Sequence, residues 1–230
     1  MSASLFRALA LLLFVVSPLA QAKGPAPRIP EQVSNPAWEA DIARFEQTDA
    51  QSPPPRGAVV FVGSSSIRMW ESLASDFPGQ AVINRGFGGS EVRDSTWYAD
   101  RIVLPYKPRL VVFYAGDNDL NAGRTPQQVR DDFVAFVGRL RKGLPDTRIA
   151  YISIKPSPSR AQLLPQIAEA NRLVREAAGK FAKVDFLDVY TPMLDANGQP
   201  RPELFREDQL HMTADGYAIW RKVVEPELAR

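Results

Sequence analysis

The sequence predicts an α/β protein, a three-layer α/β/α sandwich around a central, mostly parallel five-stranded sheet. From residue 58 onward, five short apolar runs alternate with segments that have helical spacing. Runs that are apolar on both faces, such as 58–62 and 110–114, are typical of strands buried between two helix layers. Strands that alternate with helices favour parallel right-handed crossovers, and these produce the sandwich.

Each predicted strand ends at a residue or loop that interrupts extended structure. Gly63, Asn84, Gly116 and Pro156 follow the first four runs, and a long loop follows the fifth. β-branched and aromatic residues dominate the runs, which favours strands over helices. The predicted strands are 58–62, 81–83, 110–114, 148–154 and 184–189.

The helices are predicted from apolar residues that recur at three- and four-residue spacing. A short helix follows Asn35-Pro36 and places Trp38, Ile42 and Phe45 on one face, and Thr213 is a suitable cap for the last helix. A further helix is expected around residues 68–70. The longer helices are predicted at about 91–103, 126–143, 161–181 and 214–229.

The N-terminus has the pattern of a secretory signal peptide at residues 1–22. Arg7 precedes the apolar run 8–16, and Ala20-Gln-Ala22 provides a small-x-small cleavage signature. The run is too short to span a bilayer comfortably. We therefore expect cleavage after Ala22, export to the periplasm or the medium, and no stable membrane span in the mature form. Residues 23–57 form a leader with the short helix and a proline-rich connector, and 58–230 form one globular domain.

Composition excludes several classes of function. The formal net charge is +2, and acidic and basic residues are interspersed without a basic stripe, so no nucleic-acid partner is expected. The chain has no cysteine, which excludes disulfides, and no His/Cys/Asp cluster suggests a metal site or another cofactor. The oligomeric state stays open.

The unusual residues follow the strands, where parallel sheets place their ligand crevice. Gly63 is followed by Ser64, Ser65 and Ser66, and a serine there would sit at a helix N-terminus, which favours a developing anion. Considered alone, this run is more typical of a serine N-cap.

Two further turns could supply hydrogen-bond donors. Gly88-Gly89 follows the second strand, and Asn118 follows the third. Glycines allow a substrate to approach the main chain, and an asparagine amide can donate to an oxyanion. Considered alone, each is more typical of an ordinary turn.

The chain contains one histidine, His211, which lies three residues after Asp208. A serine nucleophile needs an imidazole to accept its proton and a carboxylate to orient the ring. Any such mechanism in this chain therefore has a single candidate base. An isolated histidine is more often a surface residue.

Together these segments resemble the GDSL, or SGNH, hydrolase family of esterases and lipases, over about 61–224. Four blocks occur in the family's order: Gly63-Ser-Ser65, Gly89, Gly116-Asp-Asn118-Asp119 and Asp208-Gln-Leu-His211. The resemblance implies the flavodoxin-like sandwich and a hydrolase domain at 58–230. Ser64 stands where the family usually has aspartate, and spacing from Gly63 favours Ser65 over Ser64 and Ser66 as nucleophile.

The resemblance also implies a mechanism, two-step hydrolysis of acyl esters. Ser65, Asp208 and His211 would form the catalytic triad, and Ser65, Gly89 and Asn118 the oxyanion hole, with Gly88 as the alternative to Gly89. The expected partner is a small-molecule, glycan or lipid ester, with short-chain or carbohydrate O-acyl groups favoured. A non-catalytic binding module, a flavodoxin-like cofactor binder and an acyltransferase remain alternatives. Aromatic residues at such spacings are more often core residues than pocket residues. We therefore expect core positions for Trp70, Phe87, Trp97 and Tyr114.

Overall fold

The computed structural model describes residues 33–230. The predicted signal peptide and the first part of the predicted leader lie outside the described residues. Proline-rich residues 53–55 connect the helix of the leader to the first strand. Within residues 33–230, no helix is long and apolar enough to cross a membrane.

The centre of the molecule is a parallel sheet of five strands in the order β2-β1-β3-β4-β5. The chain places β2 on one side of β1 and β3 on the other, so the strand order reverses next to β1. In open parallel sheets the ligand crevice lies at such a reversal, beyond the carboxyl ends of the strands. The strands are β1 (Val59–Gly63), β2 (Val82–Gly86), β3 (Leu110–Tyr114), β4 (Arg148–Ile152) and β5 (Val184–Leu187).

The three-layer α/β/α sandwich predicted from the sequence is confirmed, and the sheet is entirely parallel. The predicted end of β2 was wrong, since this strand continues beyond Asn84 to Gly86. Pairing with β1 explains the extension: Asn84 lies opposite Phe61, and Gly86 opposite Gly63. Backbone pairing thus outweighs the low strand propensity of Asn84-Arg-Gly86.

Helices cover both faces of the sheet, and the long ones match their predicted positions closely. The predicted helix at 161–181 is shorter, because a 3₁₀ segment, Pro158–Leu163, precedes it and Arg160 has non-helical angles. The helix expected around 68–70 instead begins at Ser65. The helices are α1 (Trp38–Gln51), α2 (Ser65–Arg68), α3 (Leu73–Asp76), α4 (Val92–Ile102), α5 (Asp117–Asn121), α6 (Pro126–Gly143), α7 (Leu164–Ala178) and α8 (Ala214–Leu228).

Two hydrophobic cores lie on opposite faces of the sheet. On one face α4, α6 and α7 pack over the strands, and α1 adds the fully buried Ile42 with the partly buried Trp38 and Phe45. On the other face α2, α3 and α8 pack over residues such as Phe61 and Tyr114. The helix predicted in the leader therefore shares a core with the sheet.

Candidate active site

The predicted nucleophile lies at a sharp turn after β1. Gly63 has φ +138°, and a Cβ at this position would lie 1.8 Å from the carbonyl oxygen of Tyr114, so only glycine fits. Ser65 then begins α2, partly exposed, whereas Ser64 and Ser66 are buried. The Oγ of Ser64, where the family usually has aspartate, is buried without a hydrogen-bond partner among the described residues.

The structure brings Ser65, His211 and Asp208 together across 146 residues of sequence. His211 Nε2 lies 3.0 Å from Ser65 Oγ, and His211 Nδ1 lies 2.6 Å from Asp208 Oδ2. With the Nδ1 proton donated to the carboxylate, Nε2 has a lone pair directed at the hydroxyl. This arrangement can take the serine proton during attack on a carbonyl.

Asp208 is fixed mainly by its own loop. Its Oδ1 accepts hydrogen bonds from the backbone N–H groups of Leu210 and His211, both at 2.9 Å. Desolvation acts to raise the pKa of Asp208, but the hydrogen bonds from the His211 ring and from these two N–H groups outweigh it and lower the pKa to about 2. Asp208 is therefore charged at every pH at which a histidine is neutral.

Three potential donors follow β1, β2 and β3, at the carboxyl edge of the sheet where Ser65 lies. Within residues 33–230, the backbone N–H groups of Ser65 and Gly89 donate no hydrogen bond, and neither does that of Gly88, so both glycines remain candidates. The Asn118 amide uses one hydrogen to reach the Ser90 carbonyl oxygen at 3.0 Å. Its second hydrogen is available for a negatively charged oxygen.

The Gly89 turn is covered by the start of α1. Gly89 has φ +83°, and a Cβ there would lie 3.2 Å from the ring of Trp38. Trp38 Nε1 donates to Asp94 Oδ2 at 3.2 Å, and the same carboxylate accepts from the backbone of Ser34 and Glu91. The segment before α1 and the Gly89 turn are thus tied together through Asp94.

A buried charged cluster beside Asn118 was not anticipated from the sequence. Lys155 lies 3.0 Å and Arg160 lies 3.1 Å from Asp117 Oδ2, and Arg160 also donates to Asn118 Oδ1 at 2.9 Å. Lys155 follows β4 at the same edge of the sheet as Ser65. A search of the charged residues that follow each predicted strand could have identified it.

Burial and neighbouring charge oppose each other in this cluster. Burial acts to raise the pKa of Asp117, but the positive charges of Lys155 and Arg160 outweigh it and hold the pKa below its ordinary value. Asp119 differs: burial raises its pKa to about 8, and the hydrogen bond from the Val92 N–H opposes this only in part.

The remaining sequence predictions concern the cap and the aromatic residues. The Thr213 side chain accepts a hydrogen bond from Gly216 N at the start of α8, as predicted. The expected core positions are confirmed for Trp70, Phe87 and Tyr114, which are buried, and the expectation was wrong for Trp97, which is exposed. Within residues 33–230, no group of three acidic or histidine side chains is arranged to hold a metal ion.

Comparison with known proteins gives both a family and a fold. The model of the GDSL-like lipase/acylhydrolase family matches residues 35–219. No curated protein sequence matches the chain significantly.

Several solved structures share the fold. A GDSL-like lipase of Bacteroides thetaiotaomicron is 20% identical with a TM-score of 0.70, covering 83% of this chain and 98% of its own. An acetylxylan esterase of Geobacillus stearothermophilus is 14% identical with a TM-score of 0.60, covering 76% and 95%. A carbohydrate esterase family 3 protein of Talaromyces cellulolyticus is 17% identical with a TM-score of 0.59, covering 75% and 96%.

Proposed function

Because the chain belongs to the GDSL-like lipase/acylhydrolase family, a family of carboxylic ester hydrolases, we propose that it cleaves acyl esters through an acyl-enzyme at Ser65. The observation that carries the proposal is the contact of His211 Nε2 with Ser65 Oγ at 3.0 Å, with Asp208 on the other ring nitrogen. Ser64 and Ser66 are buried, which supports the choice of Ser65.

The proposed reaction has two steps. In the first, Ser65 Oγ attacks the ester carbonyl carbon while its proton passes to His211 Nε2, and the carbonyl π electrons move to the oxygen. Collapse of this tetrahedral intermediate expels the alkoxide, which takes the proton from His211. In the second, water attacks the acyl carbon while its proton passes to His211 Nε2. The bond from that carbon to Ser65 Oγ then breaks, Ser65 Oγ takes the proton from His211, and the carboxylic acid leaves.

Charge develops on the acyl oxygen in both steps. The N–H groups of Ser65 and Gly89 and the Asn118 amide are preorganised to donate to that oxygen, which stabilises the transition state without reorganisation. Asp208 holds the His211 ring in the tautomer that accepts at Nε2 and stabilises the imidazolium that forms.

For the substrate we propose short acyl esters, with O-acetylated carbohydrates foremost. Trp38 covers the Gly89 turn, and the aromatic residues Trp70, Phe87 and Tyr114 are used in the cores, so they offer no long apolar channel to a fatty acyl chain. Two of the proteins that share this fold are an acetylxylan esterase and a carbohydrate esterase. The predicted export would bring the enzyme to such esters, and N-terminal sequencing of the mature protein should begin at Lys23.

The test combines a substrate series with the nucleophile variant. We expect the fastest hydrolysis for p-nitrophenyl acetate, a decline with acyl length, and acetate release from acetylated oligosaccharides. Ser65→Ala should lower kcat by about a thousandfold or more and abolish labelling by a fluorophosphonate at that serine. Ser66→Ala is the matched control and should keep both properties.

Two outcomes would contradict the proposal. Labelling and turnover that survive in Ser65→Ala but vanish in Ser66→Ala would refute the assignment of the nucleophile. A wild-type protein that neither hydrolyses any ester of the series nor reacts with the fluorophosphonate would refute the serine mechanism.

A further inference from the structure

The side chain of Arg160 joins the Asn118 turn to a buried carboxylate. Its Nη2 donates to Asn118 Oδ1 at 2.9 Å, and its Nη1 lies 3.1 Å from Asp117 Oδ2. Arg160 lies in the 3₁₀ segment Pro158–Leu163, with φ −122° and ψ 26°. The neighbouring Ser159 N donates to the Gln209 carbonyl oxygen at 3.0 Å, so this segment also contacts the loop of Asp208 and His211.

These contacts determine which way the Asn118 amide faces. A guanidinium only donates hydrogen bonds, so it can meet only the oxygen of the amide. The Ser90 carbonyl only accepts, so it can meet only the nitrogen, and it does so at 3.0 Å. Rotating the amide by 180° would break both hydrogen bonds and place two pairs of like groups in contact.

The buried charges hold Arg160 in this position. Its side chain is only 10% exposed, and the Asp117 side chain only 5%. A guanidinium presents a planar fork of donors, so one side chain can meet the carboxylate and the amide together. Lys155 donates to the same carboxylate oxygen at 3.0 Å and to the Tyr114 hydroxyl at 3.3 Å, and among the described residues it makes no hydrogen bond to Asn118.

We propose that Arg160 is a positioning residue of the oxyanion hole, which holds the Asn118 amide with Nδ2 toward the acyl oxygen of the substrate. The inference rests on the proposed function at Ser65. The side-chain polar contacts of Arg160 within residues 33–230 are with Asn118 and Asp117 and not with the nucleophile or the base, so its effect on the reaction passes through Asn118.

A double-mutant cycle tests this dependence. kcat for p-nitrophenyl acetate is measured for wild type, Arg160→Met, Asn118→Ala and the double variant, each divided by the active sites titrated with a fluorophosphonate. Asn118→Ala should lower kcat by about a hundredfold to a thousandfold, and Arg160→Met by about tenfold to a hundredfold, with little change in KM. In the Asn118→Ala background, Arg160→Met should change kcat by less than about twofold.

Lys155→Met is the matched control, because it removes the other cation from Asp117 without touching Asn118. It should lower the melting temperature as Arg160→Met does, yet keep kcat within about twofold of wild type, since no oxyanion donor loses its partner. Equal losses of kcat in the two variants would show that the charge cluster acts on the fold, and would overturn the proposal.

Other outcomes are also decisive. If Arg160→Met does not fold, Arg160→Lys takes its place in the cycle. It keeps the charge beside Asp117, but a single ammonium cannot reproduce the fork, so the same selective loss of kcat is expected. Full kcat in that variant, or an equal loss in both backgrounds, would refute the positioning role.

A wild type that is inert toward every ester refutes the proposed function, whereas an active wild type with an unaffected Arg160 variant refutes the positioning alone.

Discussion

The proposed oxyanion donors lie in turns that follow β1, β2 and β3, whereas the proposed base and its carboxylate lie in one loop between Phe205 and Met212. The donors are supported by residues far away in sequence: Asn118 is held by Ser90 and Arg160, which are 28 and 42 residues away. We call this the oxyanion half of the site. Ser90 and Arg160, the two residues that hold Asn118, are both buried.

We call the loop from Phe205 to Met212 the base half of the site. Backbone contacts within the loop hold its two ends together. Phe205 and Met212 form an isolated antiparallel bridge and are both buried. Within the loop, Arg206 N donates to the His211 carbonyl oxygen at 2.7 Å. The Asp208 side chain is 49% exposed and the His211 side chain 20% exposed. Changes to Asp208 or His211 should therefore affect the chemistry with little effect on the fold, and changes to buried residues of the oxyanion half should affect both.

The largest expected effect in the base half comes from His211→Ala. The variant should lose about a thousandfold or more in kcat, because no other residue can accept the Ser65 proton. In wild type, kcat/KM should rise with pH through one ionisation, since His211 accepts the Ser65 proton only when its imidazole is neutral. The pKa of Asp208 is lowered to about 2, so this carboxylate adds no second inflection to the pH profile above pH 4.

The measurement is a pH profile of kcat/KM from 5 to 9 for both proteins, with melting temperatures as the control. His211→Ala should melt within about 2 °C of wild type, as expected for a partly exposed loop residue. A flat wild-type profile, or a variant that keeps most of its activity, would remove the base from the mechanism.

Asp208→Asn should have a smaller effect. The amide oxygen can still accept from the N–H groups of Leu210 and His211, so the loop keeps its shape. The atom facing His211 Nδ1 becomes a donor, which favours the tautomer with its proton on Nε2, where it cannot accept from Ser65. We expect kcat to fall about a hundredfold, less than for His211→Ala, because the exposed ring can still exchange its protons with water.

Steady-state kinetics and thermal melting of Asp208→Asn check this reasoning together. The expected combination is a lower kcat with an unchanged melting temperature. Unchanged kcat would mean that the carboxylate does not set the tautomer, and a large loss of stability would mean that the loop depends on its charge.

The same difference explains what could be predicted from the sequence. Asp208 and His211 are three residues apart, so a short pattern contains the entire base half. β1 and β3 were also predictable, because each is a continuous apolar run. Arg160 was not, because its partner Asn118 lies 42 residues away and the 3₁₀ segment that carries Arg160 was not predicted.

The extension of β2 to Gly86 was missed for a related reason. Asn84-Arg-Gly86 has low strand propensity, and only the backbone of β1 makes it a strand. A short stretch of sequence indicates strand or helix propensity and contains short motifs. Strand pairing and buried ion pairs instead depend on chain segments that meet only in the folded state.

The smallest expected effect lies in the oxyanion half and appears in stability. Asp119 is fully buried and accepts from the Val92 N–H at 3.1 Å, which ties the Asn118 turn to α4. Because burial raises the pKa of Asp119 to about 8, the folded protein keeps this proton between about pH 4 and 8, whereas the unfolded chain releases it. The contribution of this group to stability is therefore complete below about pH 4 and declines as the pH rises toward 8.

Asp119→Asn should remove this decline, because the amide keeps an oxygen for the Val92 N–H and does not titrate. Between pH 7 and 9 the melting temperature of wild type should fall by about 4 °C more than that of the variant, the shift that roughly 1.4 kcal/mol produces in a chain of this size. Asp146→Asn is the control, since that side chain is 91% exposed and its pKa is lowered by the hydrogen bond from Lys183, so it does not titrate in this range. Parallel melting curves for wild type and Asp119→Asn would show that Asp119 is already ionised in the folded protein, and that burial in the oxyanion half does not control its charge.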